Sequence, residues 1–555
     1  CRRKVLQRLE ALGLLVKVED YSHTVGHCYR CKTIIEPHLS WQWFMRMKPL
    51  AEEAIRAVED GRISFIPANW AKSYFEWMYN IHDWCISRQL WWGHRIPVWY
   101  CKSCGEMTAA METPAGCPKC GGELVQEEDI LDTWFSSALW PFATLGWPDK
   151  TADMAAFYPT DLMATAFDII FFWVARMIMM GLKFTGDIPF RHVFINGLVR
   201  DFRRRKMSKS ERNIIDPLEM IAKYGTDALR FTMAALAIPG MDLSLSEDRM
   251  QGYRAFVNKI WNASRFVLLN LGEDEHKVLE KEMTLADRWI LNRLSGITVE
   301  LEAALEQYKF YEAAEKIYHF VWHEFCDWYI EMAKPELQKG NRTTRAMLAK
   351  TLDQILRLLH PFMPFVTEEL WSHLPGHGKS LALAPFPSGK PEALEEDAEA
   401  KMRLLQDIVT EVRTIRAEHK IPRQRRVEVW LKAPGEKDKA LIPEIRPYIL
   451  ALANGSEVRL HDHFPSGARV FKGIAGAFEV AILLEGAADW QAERARLERE
   501  VKKAQAEIEK MEGRLQNKDF LERAPQEVID EAKSALLGLR DKKAKLEKSL
   551  AQIKS

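Results

Sequence analysis

The chain has 555 residues, 47% of them apolar and 28% charged, and its 78 basic and 78 acidic side chains cancel to a formal charge of zero. A chain of this length holds several domains with sizeable cores, and its neutrality offers no global field to a polyanion, so nucleic-acid contacts must come from local basic patches. No apolar run is long enough to span a bilayer: the most apolar stretch, residues 167–181, carries Asp168 and Arg176.

The chain opens inside a helix-like run, Arg2 to Leu15, with no initiator methionine and no signal peptide, and reads as a portion of a longer protein. A strand-like Leu14 to Val18 follows, then His27-Cys28-Tyr29-Arg30-Cys31. Cys28 and Cys31 are either half of a tetrahedral zinc site, with His23, His27 and His38 as candidate partners, or a reduced pair without metal. Six of the nine cysteines fall in Cys-x-x-Cys pairs. That usage points to metal binding in a reducing, cytoplasmic compartment and away from a disulfide framework.

Residues 66–97 are dense in tryptophan, tyrosine and phenylalanine, most of which belong in a core. Cys101-x2-Cys104, a twelve-residue loop and Cys117-x2-Cys120 then have the form of two zinc knuckles closing one structural site. Asp129-Ile130-Leu131-Asp132-Thr133-Trp134 stands at the end of a strand-like segment, where acidic groups either cap a helix or hold a substrate ammonium beside an apolar wall. Residues 167–182 read as a helix and Phe190 to Val199 as a strand, so strand, helix and strand alternate as in a parallel α/β sheet.

Lys206-Met207-Ser208-Lys209-Ser210 follows that strand on a short loop. Two ammonium groups spaced by two residues between hydroxyls suit the grip and neutralisation of a leaving polyphosphate. Helices are expected from Asp216 to Leu236, broken at Gly225, and almost throughout from Gln251 to Leu374, where apolar residues recur at three and four as in a helix bundle. After a Gly/Pro/Ser-rich linker (376–391) come a helix, Ala398 to Glu418, and strands at Val427 to Leu431 and Ala477 to Leu484. Arg413, Arg416, Lys420, Arg423, Arg425 and Arg426 form a basic cluster that is either a solvated face or a nucleic-acid contact. The tail carries a heptad from Leu497 to Leu515 and again from Leu539 to Ile553, interrupted at Ala524-Pro525, which predicts two helices folded back antiparallel.

Taken together, Ile86-Ser87-Arg88-Gln89-Leu90-Trp91-Trp92-Gly93-His94, Leu131 to Ser137, Phe167 to Met177, Lys206 to Ser210 and Leu358 to Pro364 resemble the valyl branch of the class I aminoacyl-tRNA synthetases, from within its inserted editing region to its C-terminus. The resemblance covers essentially the whole chain. It implies a multi-domain α/β plus all-α architecture: an editing and connective remnant (1–75), the second half of a Rossmann-like catalytic domain with a zinc knuckle (76–205), the Lys-Met-Ser-Lys-Ser loop and stem-contact region (206–250), a helical anticodon-binding domain (251–385), an α+β junction (395–485) and a coiled-coil tRNA-binding arm (487–555).

The activity it implies is ATP-dependent formation of valyl-adenylate and transfer of valine to tRNA(Val) by a monomer, with Mg2+ accompanying ATP and structural Zn2+ on the cysteines. Lys206 and Lys209 then stabilise the departing pyrophosphate, with Ser208 and Ser210 on the ATP. Asp168 meets the ATP ribose, Asp129 holds the valine ammonium, and Trp92, Ile130 and Trp134 wall the side-chain pocket. Three departures stand against this pattern. A His-x-Gly-His element and the first half of the nucleotide fold are absent, so this chain alone is expected not to aminoacylate, and Cys28 and Cys31 lack upstream partners. Arg212 stands where the family has glycine, behind Arg203-Arg204-Arg205, and Ala166 also replaces a glycine. The rival readings are a catalytically inactive tRNA-binding module and a structural scaffold.

Overall fold

The computed structural model describes residues 2–28, 31–36, 38–201, 203, 205, 207, 214–272, 278–389, 396–465, 470–483 and 490–516, with scattered positions from 533 to 547. The protein is mixed α/β and rich in helix, and the chain divides into two compact units, Cys1–Val193 and Phe194–Ser555.

In the first unit, helix Lys48–Glu59 buries Ala51, Ala54, Ile55 and Ala57, a stripe of mostly small side chains. That stripe allows close packing on helix Arg176–Thr185, which buries Met177 through Gly181. A Cβ on Gly181 would lie 3.0 Å from both Pro189 Cδ and Tyr158 Oη. Beside the helices runs a sheet ordered Ser64–Ile66, Phe190–Asn196, Thr160–Ala166. Its middle strand buries Phe190 and Val193, which point to opposite faces, the mark of a strand covered on both sides.

Two expectations change here. Residues 14–18 form no strand and lie almost wholly exposed, and no strand among the described residues pairs with them. The helix expected over 167–182 starts as a 3-10 turn (Phe167–Ile169) and a π segment (Ile170–Ala175) before becoming α-helical at Arg176. Such bulges re-aim side chains and often mark functional sites.

The second unit is built on helices Thr226–Leu236, Glu247–Asn270, Leu285–Glu306, Phe310–His319, Ile330–Gln338, Arg342–Leu359 and Pro364–Trp371. Asp287, fully buried, ties three of its segments together. One oxygen accepts from Tyr329 Oη at 2.7 Å; the other accepts from Thr344 Oγ1 at 2.8 Å and from the N-cap residue Thr284. Asp227 plays a similar part: its carboxylate takes the backbone N–H groups of Phe365 and Val366 at the start of helix Pro364–Trp371, while Arg230 holds the carbonyls of Pro361 and Phe362. This explains the polar residues facing the Leu358–Pro364 motif.

Residues 396–483 form a four-stranded sheet ordered Gly455–Leu460, Val427–Lys432, Phe478–Leu483, Val470–Ala475, the first pair parallel and the others antiparallel. The parallel pair is joined through helix Ile442–Leu452, the crossover that parallel pairing requires. One hydrophobic core runs from the bundle into this sheet. Helix Trp490–Gln516 buries Ala504 and Ile508, one turn apart, and Glu512 pairs with Arg540 at 2.6 Å. Leu546, Leu550 and Ile553 of the heptad lie outside the described residues. Among the described residues no helix is long and apolar enough to cross a membrane.

Candidate active site

The four knuckle cysteines come from two copies of one turn. Strand Val98–Cys101 runs into the first, where Gly105 N–H donates to Cys101 O at 2.9 Å; in the second, Gly121 N–H donates to Cys117 O at 2.8 Å. Gly105 and Gly121 both adopt positive φ (72° and 70°), which a Cβ would oppose. The turns face each other so that the Sγ atoms of Cys101 and Cys120 lie 3.5 Å apart, Cys104 and Cys117 3.6 Å, and Cys104 and Cys120 3.4 Å. All four lie within 4.8 Å of one another. Ligands about 2.3 Å from a tetrahedral centre sit roughly 3.8 Å apart, so four soft donors are gathered at a spacing one metal ion can bridge. The backbone N–H of Cys104 works against burial to hold the Cys101 thiol down at about 6. At Cys104 and Cys120 the backbone N–H groups are outweighed by the neighbouring thiols and burial, which push both up, Cys120 to about 12. Among the described residues, this is where three or more potential ligands meet. Cys28 and Cys31 acquire no third ligand there, and His27 Nδ1 faces Lys32 O instead.

A second constellation centres on Asp132. The short strands Ser87–Arg88 and Ile130–Leu131 pair antiparallel and bring Arg88 beside it. Asp132 is 6% exposed and caps helix Thr133–Ser137, Oδ1 accepting from Trp134 N–H at 3.1 Å. Oδ2 accepts from Arg88 Nη2 at 2.5 Å and from Trp84 Nε1 at 3.0 Å. The Arg176 guanidinium lies 3.6 Å over the Trp84 ring. Burial pushes Arg176 down to about 10, opposed by Asp132 and assisted by Arg88. These groups line a cavity of about 640 Å3 together with Trp77, Trp134, Phe171 and Phe172. Apolar walls with a few convergent polar groups are the general form of a ligand site.

Of the residues expected around valine, Trp134 lines this cavity and stacks on Phe172 at 6.1 Å. Asp129, Ile130 and Trp92 do not. Asp129 accepts from Gln89 Nε2 at 2.7 Å, and Trp92 is 94% exposed. Ile130 is buried against Gly93, whose Cβ, were it present, would lie 2.3 Å from Ile130 Cδ1. Asp168 is exposed on the 3-10 turn after strand Thr160–Ala166, at the carboxyl end where open α/β sheets bind ligands. Ala166 has φ −86°, a conformation that needs no glycine.

Lys206, Ser208, Lys209, Ser210 and Arg212 lie outside the described residues. The basic run before them is anchored: buried Asp201 accepts from Arg205 Nε at 2.9 Å and from the backbone N–H groups of Arg203 and Arg205. In the basic cluster, Arg416 is 7% exposed and donates to the carbonyls of Ala453, Pro422, Arg423 and Arg425. It ties the loop after its helix to the end of helix Ile442–Leu452, so its donors are spent inside the fold. Lys420 and Arg423 line an open cavity beside it. The grouping of Arg88, Asp132 and Arg176 was not foreseen. Its one signal is an arginine inside the apolar run 167–181, since a buried cation requires partners.

Residues 16–246 match the family model described as tRNA synthetases class I (I, L, M and V), residues 287–431 that of the anticodon-binding domain of tRNA ligase, and residues 489–554 that of the valyl tRNA synthetase tRNA binding arm. The valine–tRNA ligase of Thermotoga maritima is 50% identical over 557 residues, covering 100% of this chain and 63% of the relative. That of Geobacter sulfurreducens is 48% identical over 563 residues, covering 100% and 64%. The chain therefore spans a little under two thirds of the length of these relatives. Among solved structures, Mycobacterium tuberculosis methionyl-tRNA synthetase in complex with methionyl-adenylate aligns with a TM-score of 0.49 at 17% identity, over 67% of this chain and 72% of that one.

Proposed function

Since the chain belongs to the class I tRNA synthetases and, within them, to the valine–tRNA ligase family, we propose that it is the C-terminal portion of an enzyme that joins valine to tRNA(Val). The valine carboxylate attacks the α-phosphate of ATP, releasing pyrophosphate and forming valyl-adenylate; the terminal ribose hydroxyl of the tRNA then attacks the carbonyl and releases AMP. Lys206 and Lys209 neutralise the departing pyrophosphate, with Ser208 and Ser210 beside the ATP and its Mg2+. Asp168 takes the ribose. Asp129 takes the valine ammonium, and Ile130, Trp92 and Trp134 form the side-chain wall. Those last three must be drawn together by substrate or by further chain, since Trp92 is exposed here. A pocket of that kind rejects larger side chains by sterics but discriminates weakly against an isosteric hydroxyl.

Cys101, Cys104, Cys117 and Cys120 hold structural zinc, which stiffens the knuckle and leaves no open position for chemistry. The bundle within 251–385 receives the anticodon stem and loop, and the arm from 487 onward, an antiparallel coiled coil, touches the tRNA elsewhere. The enzyme works as a cytoplasmic monomer. The observation that carries the reading is the match along the whole chain, which includes the tRNA-binding arm at its end. Because the chain spans about 63% of its relatives, activity is expected of the complete protein and not of residues 1–555 alone. Valine-dependent ATP–pyrophosphate exchange by the complete protein is the test; its absence there removes the ligase reading. Salt-sensitive tRNA binding by residues 1–555, without exchange in the complete protein, leaves the inactive binding module instead.

A further inference from the structure

The cavity beside Asp132 contains a cation with an unmet donor. Arg176 is 6% exposed, and its Nη1 is buried with no hydrogen-bond partner among the described residues. Stacking over Trp84 satisfies the face of the guanidinium but not the N–H groups in its plane. An orphaned buried donor on a charged group is costly, and an anion delivered through the cavity would complete it. We propose that this cavity binds a small monocarboxylate with an apolar body and no ammonium group.

Three features select that chemistry. The walls are aromatic: Phe171 stacks on Trp77 at 4.9 Å and Trp134 on Phe172 at 6.1 Å, which suits an apolar body. Inside the cavity two guanidiniums, buried Arg176 and the half-exposed Arg88, face one buried carboxylate, Asp132, and the unpartnered Nη1 of Arg176 is the donor left for one further negative group. Asp132 already accepts from Trp134 N–H, Arg88 and Trp84, which fills three of a carboxylate's roughly four lone-pair sites and leaves little for a ligand ammonium. Asp83 stands at the exposed side of the lining and accepts from Met47 N–H at 3.1 Å. A multiply charged phosphate would lose too much hydration against these rings. The site shares only Trp134 with the residues proposed for valine, and it does not depend on that proposal.

Calorimetric titration of the chain at constant ionic strength with 3-methylbutanoate, 3-methylbutanamide and valine tests it. Saturable binding of the acid is expected, with the neutral amide and valine at least about tenfold weaker, the factor one charge-assisted hydrogen bond carries. Arg176→Gln should weaken the acid by a similar factor, and Phe172→Ala should weaken it without altering charge. If Arg176→Gln does not fold, the three-ligand comparison and Phe172→Ala decide. The proposal is overturned by absent binding of the acid, by the amide binding as tightly, by valine binding as tightly with the same loss in Arg176→Gln, or by full affinity of the acid in folded Arg176→Gln.

Discussion

Asp132→Ala gives the most direct test of how the first unit holds its cavity. The substitution removes the cap of helix Thr133–Ser137, worth about 1 kcal/mol. It leaves Trp84 Nε1 without its acceptor in a buried site, at about 1–2 kcal/mol. The Arg88 side chain is 39% exposed, so losing its ion pair adds under about 1 kcal/mol. The sum, about 3 kcal/mol, is roughly a hundredfold in a local opening equilibrium. Hydrogen exchange read by mass spectrometry at the Leu131 and Ala138 amides, which bond to His94 O and Trp134 O, reports it locally. Asp132→Asn keeps a single acceptor oxygen, which can still serve the cap, but sets its NH2 donor against Trp84 Nε1 and Arg88, so it should recover only the cap's share and cost about 2 kcal/mol. Unchanged exchange in Asp132→Ala, or an Asn variant as damaged as the Ala variant, would refute the reasoning.

The knuckle should contain one zinc per chain by elemental analysis; Cys104→Ser should abolish it and raise proteolysis between Val98 and Gln126. Asp287→Ala strands the Tyr329 hydroxyl and Thr344 inside the bundle and should cost about 3–5 kcal/mol in urea unfolding of the second unit, whereas a loss under about 1 kcal/mol would remove its central place. Burial raises the Glu444 carboxyl, but Lys401 and Arg288 outweigh it and hold the group below its ordinary 4.5. A depressed carboxylate contributes stability above 4.5 that is lost as pH falls through the folded value. Glu444→Gln should therefore flatten the acid limb of the stability profile below that pH and leave its slope unchanged near neutrality. Arg416→Gln should destabilise the junction with little change in the salt slope of tRNA binding, while Lys420→Ala with Arg423→Ala should lower that slope by about 1 for each phosphate no longer neutralised.

Much of the architecture is local in origin and so is legible in the residues alone. Apolar residues at three and four along 251–374 can only be buried as packed helices, and the bundle forms there. Cys-x-x-Cys-Gly twice over specifies two identical turns, because glycine in the fifth place permits the positive φ that closes each one. The Lys206–Ser210 pentapeptide and the flanking motifs carry the family.

Tertiary structure decided what those residues are near. Arg88 and Asp132 are 44 positions apart, and no periodicity links them to Trp84 or Arg176; only the pairing of two-residue strands and the packing of the π segment bring them to one cavity. The same holds for Asp287, joined to Tyr329 and Thr344 across 42 and 57 positions. Arg416 belongs to a basic cluster by sequence, but the carbonyls of the loop after its helix, and that of Ala453, claim it. Sequence spacing determines which face of an element a side chain occupies. Which partner meets that face depends on long-range packing, and there the charges of this chain acquire their roles.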